Sequence, residues 1–279
     1  MESIHPGRPV SRVRLAAIYA ALVSLSVVSF APFVWLVMTS LKPEAEIFSR
    51  IIPSRLTLEH YRQGLTHFPF ALYLFNTLIL CSANVVGAVV SSSLVAYGLA
   101  RIPWRGRGPL FAVLLSTMML PAHVTMVPLF AVFKWLGWID TFLPLIVPAF
   151  LGNTFFIFLL RQFFLTIPTE LSDAARLDGC TEFDIYRKVL LPLATPALAT
   201  VGLMVFLATW NDFMGPLIYL YDERKFPLSL GLAMFTSQYG SFWGQLMAVS
   251  AVMTAPILVL FFLTQRTFIQ GITMTGLKG

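Results

Sequence analysis

Six stretches of this chain are apolar over about 20 residues or more, and they limit its fold more than any other feature. A helix needs roughly 20 apolar residues to cross a bilayer core of about 30 Å. Lipid offers no partner for backbone N–H and C=O groups, so a helix is the expected structure for each stretch. The sequence therefore predicts an all-α polytopic membrane protein with about six transmembrane helices. The stretches are residues 15–39, 71–100, 109–132, 142–164, 193–219 and 246–266.

The composition supports a membrane protein and argues against several other classes. Hydrophobic residues make up 57% of the chain, above the roughly 45–50% of soluble domains. The net charge is +6, but the basic residues are spread singly between the apolar stretches, whereas phosphate binding needs them clustered. We therefore expect contact with membrane lipid and none with nucleic acid. Two cysteines, Cys81 and Cys180, imply no disulfide framework.

The positions of the basic residues predict the orientation in the membrane. Twelve of the 19 Lys and Arg residues lie in the two terminal tails and in segments 101–108 and 161–192. Short loops rich in Lys and Arg stay in the cytoplasm, so both termini and segment 161–192 are predicted to be cytoplasmic. Arg8, Arg12 and Arg14 precede the first apolar stretch as in a signal peptide, but that stretch is too long to be one, and we expect it to remain as an anchor. The predicted parts are a cytoplasmic tail at 1–14, a six-helix transmembrane domain at 15–266 with a cytoplasmic loop at 165–192, and a C-terminal tail at 267–279.

One charged segment, TELSDAARLDGCTEFDIYRK at 169–188, interrupts the apolar pattern with eight charged residues. Leu171, Ala174 and Ala175 recur at helical spacing, while Glu170, Asp173 and Arg176 point the other way. This pattern predicts a short amphipathic helix over 169–178. Gly179 is suited to end that helix, and Thr181 with Asp184 predicts the cap of a second helix from Glu182 to Leu191. The sequence therefore predicts two short helices joined at a fixed angle, a shape suited to docking a partner.

The same segment resembles the cytoplasmic loop signature of binding-protein-dependent ABC importer permeases. That signature reads EAA, three residues, Gly, nine residues, Ile, one residue, Leu-Pro. The matching positions here are Asp173, Ala174, Ala175, Gly179, Val189, Leu191 and Pro192. Asp173 replaces the usual Glu, which shortens the carboxylate by one methylene, and Val189 replaces Ile. The stretches LLRQFFLTIPTEL, WNDFMGPL and FIQGITMTGLKG are similar to the carbohydrate-uptake branch, which includes the maltose and glycerol-3-phosphate permeases.

This resemblance implies a permease subunit of an ATP-driven importer of a sugar, a polyol or a glycerol phosphate in the bacterial inner membrane. It implies three kinds of partner: a second permease in a heterodimer, two ATPase subunits or a homodimeric ATPase, and an extracytoplasmic solute-binding protein. ATP and Mg would bind the ATPase, so this chain needs no catalytic residue and no cofactor. The residues expected to dock the ATPase are Glu170, Leu171, Asp173, Ala174, Ala175, Arg176, Asp178, Gly179, Val189, Leu191 and Pro192.

Three alternatives stay open at this point. The charged segment also fits an ordinary solvated loop, and the permease family also includes importers of non-carbohydrate solutes. A self-contained secondary transporter would need ionisable groups in the membrane, for which His123 and Asp212 are the candidates.

The sequence gives little support for a catalytic site or a metal site in this chain. Gly271 and Gly276 have the spacing of a phosphate loop, but Leu277 replaces the required Lys. The four histidines are too far apart to suggest a metal site.

The path of the solute is not assigned to residues. Polar groups within the apolar stretches favour helix packing over solute binding. Loops 41–70 and 222–245 are expected to face the solute-binding protein. The polar groups are Asn76, Asn84, Asn153, Asn211 and Ser91 to Ser93.

Overall fold

The computed structural model describes residues 12–237 and 240–276. Most of the predicted N-terminal tail and the last three residues of the C-terminal tail lie outside this part of the chain. Within it, α14 continues through Gly276, so the backbone of the predicted C-terminal tail is helical up to that residue.

Helices form most of the described chain. In order they are α1 (Arg12–Ser40), α2 (Glu59–His67), α3 (Phe70–Ala100), α4 (Arg107–Thr117), α5 (Ala122–Trp135), α6 (Leu143–Ile146), α7 (Thr154–Thr166), α8 (Glu170–Leu177), α9 (Glu182–Asp184), α10 (Leu191–Leu193), α11 (Thr195–Trp210), α12 (Met214–Tyr219), α13 (Leu228–Ala233) and α14 (Trp243–Gly276). A π-helical turn covers Ile185–Leu190, and 3₁₀ turns cover Glu44–Glu46, Val147–Leu151 and Glu223–Lys225. Two short antiparallel strands are β1 (Thr236–Ser237) and β2 (Gly240–Ser241).

The all-α class is confirmed, and four of the predicted membrane spans are present. Each of the four is long and apolar enough to cross a bilayer. They are Arg12–Ser40, Phe70–Ala100, Leu143–Thr166 and Trp243–Gln265.

The predicted span 109–132 is wrong as a single helix. Residues 118–121 separate α4, with 11 residues, from α5, with 14. Pro121 has an extended backbone (φ −63°, ψ 135°) at the start of α5. A proline has no N–H for the helix ladder and pushes the preceding residue out of helical geometry, so neither half reaches the roughly 20 residues of a straight span.

The predicted span 193–219 is also interrupted. Helix α11 ends at Trp210, and α12 starts at Met214. The Asp212 side chain between them accepts a hydrogen bond from the Gly215 N–H at 3.1 Å, and such local bonds compete with the helix ladder. At its other end, α11 meets the helical run Glu182–Leu193 at a bend of 78°. The described residues thus contain four spans, or five if this bent pair counts as one, and the count of six is not confirmed.

Among the described residues, one compact unit contains 12–67, 235–237 and 240–252. Within it, α2 packs closely against α14, where a Cβ on Gly64 would lie 2.8 Å from the Val249 side chain. Ser40 at the end of α1 shares a 2.7 Å hydrogen bond with the Tyr61 hydroxyl. Along α1 itself, only Thr39 and Ser40 are buried, so its apolar side chains are free to meet lipid or another subunit.

The other unit contains residues 68–234 and 253–276, and its core forms where α3, α7 and α11 meet. Small side chains line this contact, including Ala88 and Ala96 on α3 and Ala197 on α11. Small residues let membrane helices approach closely, which favours packing in the absence of a hydrophobic drive between helices. The buried residues of 185–190 belong to the same core, so the charged segment is built into the unit.

A polar latch in this unit joins the turn after α5 to the loop after α12. Asp140 lies in the left-handed region (φ 61°), which Asp tolerates better than most residues. Lys225 Nζ donates to the Asp140 backbone oxygen at 2.7 Å and to the Asp140 carboxylate at 2.8 Å. The N–H groups of Tyr221 and Asp222 both donate to the other carboxylate oxygen at 3.0 Å. These bonds, first that of Lys225, lower the pKa of Asp140 to about 2.

Replacing Asp140 with Asn should loosen the loop without disturbing the left-handed turn, since Asn also tolerates that geometry. The neutral amide makes a weaker bond to Lys225 than the carboxylate does. Limited trypsin digestion should then cut after Arg224 about two- to tenfold faster. Glu223→Gln removes a charge from the same loop but none of the latch bonds, and should leave the rate unchanged. Equal rates for the two variants would contradict the latch.

Candidate functional site

The first helix of the 169–192 segment ends as the sequence predicts. Helix α8 runs from Glu170 to Leu177, and Gly179 follows at φ +82°. The Cys180 N–H donates to the Ala175 carbonyl at 3.0 Å, and the Gly179 N–H donates to the Arg176 carbonyl at 3.1 Å. This pair of bonds is a Schellman motif, which satisfies the last carbonyls of a helix. The left-handed φ alone calls for glycine here, because no atom lies within 4 Å of the place of a Cβ.

A capping box starts the second helix, as predicted. The Asp184 N–H donates to the Thr181 hydroxyl at 3.2 Å, and the Thr181 N–H donates to the Asp184 carboxylate at 3.3 Å. The helix that follows differs from the expected α-helix, because Ile185–Leu190 forms a π-helical turn. Pro192 follows one residue after this turn and has no N–H to continue the ladder. The segment is therefore two helices joined by a fixed turn, with one wide turn near its end.

Two side chains of α3 hold the second helix from the interior. The Tyr97 hydroxyl contacts Glu182, with the backbone oxygen at 3.1 Å and the carboxylate at 2.6 Å. Ser93 shares a 2.7 Å hydrogen bond with the Tyr186 hydroxyl. Ile185 and Leu190 are fully buried. These contacts fix the second helix to a long membrane-spanning helix.

Arg176 connects the two short helices. Its guanidinium donates to the Asp173 carboxylate at 2.7 Å on its own helix and to the Glu182 carboxylate at 2.9 Å on the next. Glu182 therefore accepts from Arg176 and Tyr97 together, and these bonds lower its pKa, Arg176 more than Tyr97. The angle between the helices is thus set by the turn at Gly179 and by this ion pair.

The apolar stripe of α8 is only partly buried. Ser172 and Ala175 are buried, whereas Leu171 and Ala174 are exposed. Exposed apolar side chains follow: Leu171 is 44%, Leu177 90% and Phe183 62% exposed.

The predicted docking residues divide into two groups. One group is exposed, as are Leu177 and Phe183. The other packs inward, since Ala175 is buried and Val189 and Leu191 are half-buried against the core. The exposed members are Glu170, Leu171, Asp173, Ala174, Arg176, Asp178, Gly179 and Pro192.

Sequence reasoning missed four residues that matter to this segment. Tyr97 and Arg101 stand at the end of α3, and Arg101 donates to the Phe164 carbonyl at 2.7 Å and also to that of Ile167. Their polar groups at the end of an apolar helix were a signal, but no local pattern pairs residue 97 with residue 182. Leu177 and Phe183 were visible as apolar residues in a charged stretch.

Polar groups inside the predicted spans mostly serve the structure. Asn76 donates to the carbonyls of Arg224 and Phe226, at 2.9 and 3.0 Å. Asn84 donates to the Leu80 carbonyl of its own helix at 2.9 Å, and the Asn153 side chain caps α7. Asn84 and Asn153 also border a cavity of about 280 Å³. These bonds agree with the sequence analysis, which favours helix packing over solute binding for these polar groups.

The two candidate residues for a secondary transporter, His123 and Asp212, do not belong to the hydrogen-bonded network of the 169–192 segment. His123 is exposed on α5, and Asp212 serves the turn before α12. Among the described residues, no group of three or more His, Cys, Asp or Glu side chains is placed to hold a metal ion.

Known proteins resemble this chain along nearly its whole length. A family model described as "Binding-protein-dependent transport system inner membrane component" matches residues 83–273. The arabinooligosaccharides transport system permease protein AraQ of Halalkalibacterium halodurans is 35% identical over 261 residues, which are 91% of this chain and 93% of AraQ. The trehalose/maltose transport system permease protein MalG of Thermococcus litoralis is 31% identical, over 95% of this chain and 97% of MalG.

A solved structure shares the fold. It is the crystal structure of a bacterial ABC transporter involved in the import of the acidic polysaccharide alginate, with a TM-score of 0.82. The match covers 95% of this chain and 100% of that chain at 24% identity.

Replacing Tyr97 with Phe should loosen the helix pair while leaving α3 intact, since only the hydroxyl is lost. A hydrogen bond to a charged group contributes about 1.5–3 kcal/mol. Amide hydrogen exchange over 182–190 should therefore become about tenfold faster or more. Tyr221→Phe, at a 62% exposed side chain, is the matched control and should change nothing. Unchanged exchange in the Tyr97 variant would show that Glu182 does not depend on this bond.

Proposed function

The chain belongs to the family of binding-protein-dependent transport system inner membrane components, and from this premise we propose how its 169–192 segment works. It is a membrane-spanning permease subunit of an ABC importer that takes up a carbohydrate or a related solute. The relatives named for arabinooligosaccharides and for trehalose and maltose support the solute class. The observation that carries the mechanism is the helix pair with an exposed apolar edge and a buried anchor on α3.

The exposed side of the helix pair is the docking surface for an ATPase subunit. Leu171, Leu177 and Phe183 are exposed in a segment that is otherwise charged, and apolar groups rimmed by polar ones mark protein contact sites. Ala174 beside them leaves room for a close approach. Of the predicted docking residues, the exposed ones contact the ATPase, while Ala175, Val189 and Leu191 support them from within.

Force passes from this surface into the membrane through the anchors. The two short helices keep their angle because Gly179 and Arg176 fix the joint. Tyr97 and the buried Ile185 and Leu190 connect the pair to α3 and the core. A movement of the docked ATPase therefore shifts the pair as one body and reorients the packed helices, as alternating access requires.

The rest of the assembly follows from the same proposal. ATP and Mg bind the ATPase subunits, a second permease forms a heterodimer with this chain, and a solute-binding protein delivers the solute from outside. Both termini and the 169–192 segment face the cytoplasm, in keeping with the distribution of Lys and Arg. The exposed apolar surface of α1 suits lipid or the second permease.

Reconstitution tests the class of transporter. Proteoliposomes that hold the complete importer should take up solute only with internal ATP and with added binding protein. Omitting the ATPase subunits should reduce uptake to background. Uptake by this chain alone, driven by an ion gradient, would contradict the proposal and favour a secondary transporter.

Gly179 variants test the fixed joint. A β-branched residue at φ +82° is strained by about 1–2 kcal/mol or more, so Gly179→Val should weaken ATPase association about tenfold and lower uptake. Gly179→Asn is the matched control, because Asn tolerates this conformation, and it should retain most activity. Membrane insertion should be normal in both, since no span is changed. Full uptake with Gly179→Val would contradict a rigid joint.

A further inference from the structure

Two arginines, Arg107 and Arg161, come together where α3 ends, α4 begins and α7 nears its end. The Arg161 guanidinium carbon lies 4.1 Å from the centre of the Phe111 ring on α4. Arg107 precedes Phe111 by four residues and therefore shares its face of the helix. Both arginines also donate to carbonyls at the end of α3, Arg161 to that of Leu99 and Arg107 to that of Ile102, each at 3.4 Å. Two positive charges thus meet at the contact of three helices, and we call them the arginine pair.

The charges of the arginine pair are not balanced by the chain itself. In the part of the sequence that the structure describes, neither Arg107 nor Arg161 forms an ion pair with a carboxylate. A guanidinium carries five N–H donors, and each of these two uses only one in a bond to that part of the chain. Arg161 is half-buried, but its two terminal nitrogens are not closed off from the surface. The pair therefore keeps charge and accessible donors for an external acceptor.

The arginine pair lies at the level of the lipid headgroups. Helix α3 has 31 residues, so it is about 46 Å long, which matches the roughly 40–45 Å of a bilayer with its headgroups. Its end at Ala100 therefore reaches the headgroup region. Trp104 follows, 40% exposed, with its indole N–H donating to the Gly98 carbonyl at 3.0 Å, and tryptophan is enriched at this depth. Leu110 and Val113 are exposed further along α4, so apolar surface continues from the charges.

The chemistry of the arginine pair suits phosphate carried by a lipid. Arginine binds phosphate oxygens through paired N–H groups, and basic pockets between membrane helices bind anionic headgroups. A zwitterionic lipid brings an ammonium group that would face two uncompensated guanidinium groups, so a lipid with net negative charge fits better. A soluble phosphate would leave the exposed apolar side chains of α4 uncovered.

We propose that Arg107 and Arg161 bind the headgroup of an anionic phospholipid whose acyl chains lie along α4. The bound lipid joins the ends of α3 and α7 to the start of α4, because the two arginines that hold it contact all three helices. The inference requires that the chain lies in a membrane, and it does not depend on the solute or on the docking of an ATPase.

Native mass spectrometry of the complete importer tests the proposal. The complex is released from nanodiscs of phosphatidylcholine that contain a minor share of phosphatidylglycerol. The wild-type complex should retain phosphatidylglycerol in preference to phosphatidylcholine. Arg161→Gln and Arg107→Gln should each lower this retention about tenfold, because each removes a charged partner of the phosphate. Arg107 is exposed, so its variant keeps the helix packing and tests the site independently of Arg161.

Two further variants separate a phosphate site from general attraction to charge. Arg161→Lys keeps the charge but loses the paired N–H groups, and it should lower retention severalfold. Arg62→Gln is the matched control, because Arg62 is exposed on α2 in the other compact unit and its loss removes the same charge. This control should retain the lipid as the wild type does. Excess inorganic phosphate should not displace the lipid, since it offers no acyl chain to α4.

Four results would overturn the inference. Equal retention of the two lipids by the wild type means that the arginine pair does not select an anionic headgroup. An equal loss in Arg62→Gln means that total charge, and not a site, causes the preference. Displacement by inorganic phosphate means that the pair takes a soluble ion. If both arginine variants keep the lipid but hold the ATPase subunits more weakly, the pair contacts a protein partner.

Discussion

Glu182 is the residue on which the geometry of the 169–192 segment depends, because it is held from two sides. Arg176 reaches it from the first short helix, and Tyr97 reaches it from the long helix α3. A single carboxylate therefore connects a surface helix, its neighbour and the membrane domain. Hydrogen bonds between charged partners are stronger than those between neutral ones. The segment is thereby a rigid extension of the core.

The membrane part follows a different constraint, since every backbone group in lipid must find a partner within the protein. Where prolines or polar side chains break a helix, nearby polar side chains form hydrogen bonds with the backbone groups at the break. Asn153 caps α7 after the 3₁₀ turn at Val147–Leu151. Asp212 bonds the backbone at the start of α12, and Asn76 supports the loop around Arg224. The breaks are thus stable features of the helices in which they occur.

Patterns local in sequence predicted much of this structure. Apolar length predicted four of the spans, the glycine at 179 predicted the left-handed turn, and Thr181 with Asp184 predicted the capping box. The count of six is not confirmed because hydropathy is insensitive to where the helix ladder breaks, and Pro121 and Asp212 lie at two such breaks. The apolar pattern of α8 also does not show which of its residues are buried. Contacts such as Tyr97 to Glu182 join residues 85 positions apart, and no periodicity in one sequence shows them.

The π-helical turn at Ile185–Leu190 affects how the 169–192 segment tolerates a change in length. A wide turn accommodates one residue more than an α-helical turn, and such turns are frequent at functional sites. Losing one residue there would close the wide turn to an ordinary α-helical turn and keep the flanking parts in register, whereas gaining one would rotate everything before it by about 100° relative to Pro192, since an α-helix has 3.6 residues per turn. Phe183 would then face a new direction although every membrane helix stayed in place. The spacing between Gly179 and Pro192 thus sets the direction in which the exposed side chains of the helix pair point.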